Sequence, residues 1–266
     1  MILDQVIAAA SPKAVRRVWI VSDLQQRFPD RATHCMTRAA DDFVSLGLHC
    51  DAICYLGDAV EGGNMEFLMD MSRMQQEQFA RVDAPVYYVL GNHDFDYFAE
   101  HKATLTRMEL PFFEYMQKQP QWHTQADISD MCYTADLGPF VLCFLTDHAD
   151  HAGRWYTTHG EIRGDASLYP STEADYQALR DKLAALDKPL ITLSHYSFAG
   201  GNRAAPLFDR FLPLPAQERI HFYGHAHIGD AVWAGKDCYR KIAAVDNQPI
   251  IQVNVASLEN YRGSAI

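Results

Sequence analysis

Residues 85–94 read Pro-Val-Tyr-Tyr-Val-Leu-Gly-Asn-His-Asp, a short apolar run that ends in a cluster of polar side chains. A run of this kind is typical of a buried strand in a parallel sheet, where both faces are covered. Gly91 precedes the polar residues and lets the backbone turn sharply away from the strand. The stretch therefore predicts a strand that places Asn92, His93 and Asp94 at its carboxyl end.

Four other segments show the same arrangement of an apolar run followed by polar side chains. They are residues 17–23, 50–58, 189–195 and 220–227. Residue spacing, helix propensity and stop signals predict helices at residues 32–46, 64–82 and 171–186. Alternating strands and helices are typical of an α/β fold in which crossover helices connect parallel strands.

The rest of the chain contains two predicted antiparallel pairs. Residues 131–136 and 139–147 flank a turn at Leu137-Gly138, and residues 242–245 and 250–255 form a closing hairpin or meander. Both pairs are short and apolar, so they add strands to the predicted fold.

Two longer segments carry weaker signals. We expect residues 95–121 to form a helix or an irregular connection. Residues 148–170 are rich in His, Gly, Thr and Arg without a clear period, so we expect a long surface loop there. No linker, solenoid repeat or low-complexity run divides the chain. We therefore expect a single domain over residues 1–266.

Composition and charge exclude several classes of protein. The 266 residues are 48% hydrophobic, and 34 acidic side chains against 23 Lys and Arg leave a formal charge of −11. This charge argues against a broad basic face for nucleic acid. No apolar run approaches the ~20 residues that cross a bilayer, and Asp4 stands where a secretory signal needs positive charge. We expect a soluble, cytoplasmic protein without a membrane partner.

The predicted strand ends carry side chains of the types that bind metal ions. They are Asp23, Gln25, Asp58, Asn92, His93, His195, His225 and His227. Carboxylate, amide oxygen and imidazole suit Mn, Fe or Zn better than an all-sulfur site would. One ion cannot take all of these ligands, whereas two ions bridged by a carboxylate use them and can bind a hydroxide and phosphate oxygens between them.

Four short sequence motifs occur in the order found in a known family. They are Gly57-Asp58, Gly91-Asn92-His93-Asp94, Ser194-His195 and Gly224-His225-Ala226-His227. In this order the sequence resembles the calcineurin-like metallophosphoesterases over about residues 17 to 230. The resemblance implies a four-layer αββα sandwich of two mixed sheets flanked by helices. It also implies a dinuclear site that hydrolyses phosphomonoesters, phosphodiesters or nucleotide pyrophosphates.

The same resemblance implies a role for each position. The ligands of one metal would be Asp23, Asp58 and His227, and those of the other would be Asp58, Asn92, His195 and His225. Asp58 would bridge the ions, and a hydroxide between them would be the nucleophile. His93 matches the imidazole that protonates the leaving group, and Asp94 matches the acid that orients it.

Gln25 departs from the family pattern, which is Asp-x-His where this chain has Asp23-Leu24-Gln25. A Gln at this place resembles a branch that includes manganese-dependent ADP-ribose and CDP-alcohol pyrophosphatases. Because an amide oxygen is a harder donor than imidazole, the change favours Mn, with Fe, Zn, Ni and Co as alternatives. A single-metal form stays open.

Residues in the predicted loop at 148–170 are candidates for substrate contacts if this loop covers the metal ions, and it could instead be a solvated excursion. Trp155 or Tyr156 could stack on a base, and Arg163 could pair with a second phosphate. Arg203 follows His195 in a Gly-rich turn and is a similar candidate. The predicted partner is a small phosphorylated substrate such as a nucleotide. His221 belongs to none of the four motifs and is interpreted as a structural histidine.

Two other functions remain open. The first is a nuclease of the same fold, which the charge of −11 argues against. The second is a catalytically impaired metal-binding scaffold or regulatory module, for which Gln25 would be a first sign of lost catalysis.

Overall fold

The structure is a computed structural model that describes residues 16–61, 65–89, 91, 93, 122–123, 132–145, 155–157, 160–162, 173–197, 218–227, 240–245 and 248–260. Within these ranges the strands form two large sheets and one small one. None of the helices in these ranges is both long and apolar enough to cross a bilayer.

The first sheet is parallel in all of its described pairings. Its strands, in spatial order, are β1 (Val18–Val21), β2 (Ala52–Tyr55), β3 (Val86–Tyr88) and β4 (Trp122–His123). All four side chains of β2 are buried, because this strand is covered on both faces. The carboxyl ends of these strands therefore meet at one edge of the sheet.

Two helices cover one face of this sheet. Helix α1 (Pro29–Ser45) begins with proline, which suits the first turn, and buries Ala32, Cys35, Met36, Ala39 and Ala40. Helix α2 (Met65–Phe79) buries Leu68, Met71 and Met74 in the same core cluster. Apolar residues three and four apart lie on one face of a helix, which explains why these two stripes pack on the sheet.

The second sheet is mixed. Its strands, in spatial order, are β11 (Arg240–Val245), β12 (Gln248–Asn254), β10 (Glu218–Tyr223), β9 (Leu190–Ser194), β6 (Val141–Leu145) and β5 (Cys132–Asp136). The three central pairings are parallel and the two edge pairings are antiparallel. Both predicted antiparallel pairs are confirmed.

The two sheets pack against each other through a second apolar cluster. Cys54 and Leu56 from the β2 segment meet Leu142, Phe144 and Leu193 from the second sheet. On the outer face, helix α3 (Glu173–Ala184) lies against β5, where Lys182 Nζ donates to Thr134 Oγ1 at 3.0 Å. The order of layers is thus helices, sheet, sheet and helix, which confirms the predicted α/β sandwich.

Part of the predicted surface loop at 148–170 is a small hairpin. Strands β7 (Trp155–Thr157) and β8 (Gly160–Ile162) pair in antiparallel fashion. The prediction of a loop without regular structure is wrong for these residues, because Trp, Tyr, Thr and Ile favour strands even where alternation is too short to detect. Strand β4 was also not predicted.

Candidate metal centre

The candidate ligands follow the carboxyl ends of four strands. Asp23 follows β1, Asp58 follows β2, His195 follows β9, and His225 and His227 follow β10. Asp23, Asp58, His225 and His227 have φ angles of 55°, 53°, 61° and 46°. Positive φ is uncommon outside glycine, and it turns the chain sharply at each strand end. The strands therefore bring side chains from both sheets to one place.

Two overlapping groups of these side chains could hold metal ions. The His225 group consists of Asp58, His195 and His225, and the His227 group consists of Asp23, Asp58 and His227. Within each group the ligand atoms lie within 4.8 Å of one another. Asp58 belongs to both groups, as expected for a carboxylate that bridges two ions.

The distances in the His225 group are short. His195 Nε2 lies 3.1 Å from Asp58 Oδ2 and 3.2 Å from His225 Nδ1. His195 Nδ1 donates to the carbonyl oxygen of Leu56 at 2.8 Å, which leaves Nε2 facing the group. A hydrogen bond at the far nitrogen fixes the tautomer and orientation of a ligand histidine.

The His227 group has the same arrangement with a different partner. His227 Nε2 lies 3.5 Å from Asp23 Oδ1. His227 Nδ1 lies 2.5 Å from Glu259 Oε1, so the ring donates from Nδ1 to this carboxylate. The Nε2 lone pair therefore faces the group here as well.

Main-chain groups hold the two carboxylates in place. The amide of His93 donates to Asp58 Oδ1 at 2.8 Å, and the amide of His225 lies 3.1 Å from both oxygens of Asp23. A Cβ at Gly91 would lie 2.1 Å from Asp58 Oδ1, and one at Gly224 would lie 2.6 Å from Asp23 Oδ2. These two positions leave space for the carboxylates only because they are glycine.

Gln25 lies next to the His227 group. Its Nε2 is 3.0 Å from His227 Nε2, and its Oε1 is buried without a hydrogen bond to any described residue. A buried acceptor without a donor is costly, and a cation would satisfy it. Together with the carboxylate and imidazole donors, this oxygen fits a divalent metal ion.

Burial and close neighbours shift the pKa values in the cluster. Burial raises the pKa of Asp23 to about 6. Burial also acts to raise the pKa of Asp58, but the charge and hydrogen bond of His195, together with the charge and amide of His93, lower that pKa to about 2. Burial acts to lower the pKa of His195, whereas Asp58 raises it to about 9. One site thus contains carboxylates of opposite pKa shift, as is common at functional sites.

The pKa values of the other two histidines in the cluster are also shifted in opposite directions. Burial and the neighbouring His195 lower the pKa of His225 to about 4. The hydrogen bond to Glu259 raises the pKa of His227. A neutral His225 offers a lone pair, which is the state that binds a metal ion.

The remaining predicted site residues are placed only in part. His93 lies beside Asp58 through its amide, whereas Asn92, Asp94, Arg163 and Arg203 fall outside the described residues. Trp155 and Tyr156 lie in β7, and their side chains are not described. The roles assigned to all of these residues stay predictions.

Sequence reasoning missed one residue at this site and interpreted a second one as structural. Glu259 contacts His227 from a 3-10 helix at Leu258–Asn260, and no local motif marks it. His221 is buried behind the site, where Nδ1 lies 2.8 Å from Thr192 Oγ1 and Nε2 donates to the carbonyl oxygen of Tyr196 at 2.9 Å. The Tyr196 ring in turn packs against His195 and His225.

Comparison with known protein families shows the family of this chain. The chain belongs to the calcineurin-like phosphoesterase family, since the model of that family matches residues 16–229. Metal-dependent phosphoester hydrolysis is the activity that this family suggests, and divalent metal ions are its cofactors. No curated protein is similar enough to the sequence to count as a match.

Solved structures are similar to the chain at low sequence identity. TT1561 of Thermus thermophilus is 17% identical with a TM-score of 0.47, over 92% of this chain and 91% of that one. A second structure is 11% identical with a TM-score of 0.53 over the same shares, and it supports the fold. The sulfate thiohydrolase SoxB of Thermus thermophilus, in complex with glycerol, is 13% identical with a TM-score of 0.47. That match covers 85% of this chain and 38% of the other.

Proposed function

We propose that the protein is a dinuclear metal-dependent hydrolase of phosphoric esters. The observation that carries this proposal is the pair of overlapping ligand groups that share the buried Asp58. Two acidic side chains and three imidazoles within one cluster, at the carboxyl ends of strands, are hard to explain as structural. Membership of the family supports the same activity.

Manganese is the metal that we propose. The His227 group offers two carboxylates and one imidazole, and Gln25 adds a neutral amide oxygen whose acceptor has no described donor. Oxygen-rich sites with imidazole suit Mn(II) better than softer ions. The Gln25 oxygen also supports assignment to the Asp-x-Gln branch of the family.

The side chains of the protein perform the remaining chemistry. When bound, the ions supply Lewis acid stabilisation of phosphoryl oxygens and lower the pKa of water. His93 would protonate the leaving group, because its amide is tied to Asp58 and its imidazole is close enough to affect the pKa of both Asp58 and His225. Asp94 would orient that imidazole.

The substrate that we propose is small and phosphorylated. Loaded metal ions offer local positive charge to a phosphate, while the chain as a whole carries −11. A long polyanion would meet repulsion over most of the surface, whereas a nucleotide meets only the site. Steep loss of turnover with added salt would indicate a nuclease instead.

Metal content and hydrolysis test the function together. Protein purified without chelator is analysed for metals, then assayed with Mn on bis-p-nitrophenyl phosphate, p-nitrophenyl phosphate and ADP-ribose. We expect close to two metal ions per chain and Mn-stimulated cleavage. Absence of both metal and turnover would contradict the proposal and favour a binding module, with Gln25 as the lost ligand.

Two substitutions separate metal binding from proton transfer. Asp58→Asn removes the charge shared by both groups and is expected to abolish metal binding and turnover. His93→Ala is expected to retain the metals and to lose about 100-fold or more in turnover. His49→Ala is the matched control, because His49 is exposed and lies beside Asp51 instead. Full turnover in His93→Ala would contradict the role of this imidazole.

A further inference from the structure

We propose that Glu259 is a positioning residue that holds His227 and Asp23 in the geometry needed for one of the two metal ions. The inference rests on the metal centre of the proposed function and adds a residue outside the matched segment 16–229. Glu259 does not belong to either ligand group. It contacts His227 and Asp23, the two members of the His227 group that are absent from the His225 group.

The side chain of Glu259 selects one tautomer of His227. Its Oε1 lies 2.5 Å from Nδ1, while Nε2 on the opposite side of the ring lies 3.5 Å from Asp23 Oδ1. An imidazole binds a metal ion through one nitrogen only and must carry its proton on the other. A carboxylate at Nδ1 keeps the proton there and makes Nε2 a stronger donor to the ion.

The backbone of Glu259 supports Asp23. Its amide donates to the carbonyl oxygen of Asp23 at 2.8 Å, and Ser257 Oγ donates to the same oxygen at 3.1 Å. Asp23 is held in a left-handed conformation with φ of 55°, which needs such support to persist. One short turn therefore fixes two ligands of the same group.

Neighbouring side chains connect this turn to the loop after β1 and to helix α1. Gln26 Nε2 donates to the carbonyl oxygen of Glu259 at 3.2 Å and lies 3.5 Å from its Oε2. Cys35 Sγ donates to the same carbonyl at 3.4 Å. The turn is thus anchored at several points, so the carboxylate meets His227 without a large cost in side-chain freedom.

The two ligand groups are therefore supported differently. His195 donates from its far nitrogen to the neutral carbonyl of Leu56, whereas His227 donates to a charged carboxylate. A charged acceptor gives a stronger hydrogen bond than a neutral one. Loss of the Glu259 charge should consequently weaken one metal position and spare the other.

Manganese binding to the full chain tests this asymmetry. Free Mn(II) is followed by electron paramagnetic resonance during titration of the wild-type protein, Glu259→Gln and Glu259→Ala. We expect one of two dissociation constants to rise about 10-fold in Glu259→Gln and up to about 100-fold in Glu259→Ala. The other constant should change little. Glu77→Gln, an identical change on an exposed helix position, is the control.

Equal weakening of both positions, or unchanged binding, would overturn the proposal. A second measurement needs no metal and no variant. Nitrogen-15 spectra of the metal-free wild-type protein, at a pH where His227 is neutral, should show its proton on Nδ1. A proton on Nε2 would overturn the role of Glu259, whereas failure of the wild-type chain to bind Mn(II) would overturn the metal centre itself.

Discussion

Gly91 and Gly224 leave no room for a methyl group beside the two buried carboxylates. The missing side chains bring backbone within reach of Asp58 and Asp23, so each glycine shapes a ligand that lies far away in the sequence. A Cβ closer than 3.0 Å to a heavy atom forces something to move. At Gly91 the nearest atoms all belong to Asp58, whereas at Gly224 they belong to Ser22 and Asp23.

We predict that Gly91→Ala displaces Asp58 and weakens metal binding more than it weakens the fold. The added Cβ would lie 2.1 Å from Asp58 Oδ1 and 2.3 Å from its amide nitrogen. Metal content and thermal unfolding of the variant measure the two effects. Gly47→Ala is the control, since its φ of 62° costs about 1–2 kcal/mol but its Cβ meets no atom within 4 Å. Normal metal content in Gly91→Ala would contradict this prediction.

Buried His221 should make the fold sensitive to acid. Burial lowers the pKa of His221 to about 4. Between about pH 6.5 and 4, His221 therefore binds a proton in the unfolded chain but not in the folded chain. The free energy of unfolding is therefore expected to fall as pH drops from about 6.5 to about 4, by roughly 3 kcal/mol in total. Above pH 6.5 this contribution is complete and constant.

Urea unfolding of the metal-free protein across this pH range checks the prediction. His221→Gln keeps a donor near the Tyr196 carbonyl but does not titrate. The free energy of unfolding of this variant should fall less steeply with decreasing pH than that of the wild type. The difference in slope should be up to about 1.4 kcal/mol per pH unit. Parallel pH profiles for the two proteins would show that His221 is not the source.

At this scale the sequence indicates residues that stand in local motifs and misses supporting residues that do not. Asp58, His195, His225 and His227 lie together as their motifs indicated. Glu259 is separated from His227 by 32 positions and meets it only through the fold. The approach of Gln25 to His227 is likewise invisible in a linear pattern, because it depends on where β10 ends.

Between elements, a single hydroxyl links β5 in the second sheet to β3 in the first. Tyr133 Oη accepts from the amide of Tyr88 at 2.8 Å and donates to its carbonyl oxygen at 2.8 Å. Both are main-chain groups of the last residue of β3, three residues before Gly91. The link therefore fixes the strand end that leads into the site.

We predict that Tyr133→Phe destabilises the fold by about 1–3 kcal/mol, because both buried hydrogen bonds between this hydroxyl and the main chain of Tyr88 are lost. Urea unfolding measures the loss. Tyr223→Phe is the control, since that hydroxyl makes no hydrogen bond within the described part of the chain. A loss no larger than that of the control would mean that water replaces the hydroxyl without cost.

Periodic helices and apolar runs that end in polar side chains predicted their elements well, whereas a very short strand without such a pattern was missed. The helix predicted at 32–46 is α1 at Pro29–Ser45, and the strand predicted at 50–58 is β2 at Ala52–Tyr55. Strand β4 has two residues, Trp122–His123, which is too few for any periodicity. Its pairing with β3 comes from tertiary contact, and no local pattern in the sequence records it.

For the whole molecule, metal binding and folding should be coupled. The centre joins ligands from both sheets, and it places the buried carboxylates of Asp23 and Asp58 side by side. Without an opposing ion, two such charges repel each other and disfavour the compact state. An ion that binds only the folded chain removes this penalty.

We predict that a chelator lowers the melting temperature and that Mn(II) restores it. When free Mn(II) is 100 times the dissociation constant of a site, binding there adds about 2.7 kcal/mol to the free energy of unfolding. This corresponds to roughly 5–10 °C in melting temperature for a chain of this size. Calorimetry with and without chelator measures the shift. Asp58→Asn should show no shift, and a shift of equal size in that variant would place the bound ion elsewhere.

Four of the proposed ligands adopt the left-handed backbone conformation that glycine tolerates best. Each costs about 1–2 kcal/mol relative to an ordinary conformation, so Asp23, Asp58, His225 and His227 together lower stability by several kcal/mol. Glycine at any of them would relieve that cost and remove a ligand. Stability and function therefore oppose each other at these positions, and selection for heat resistance alone would erode the centre that selection for turnover maintains.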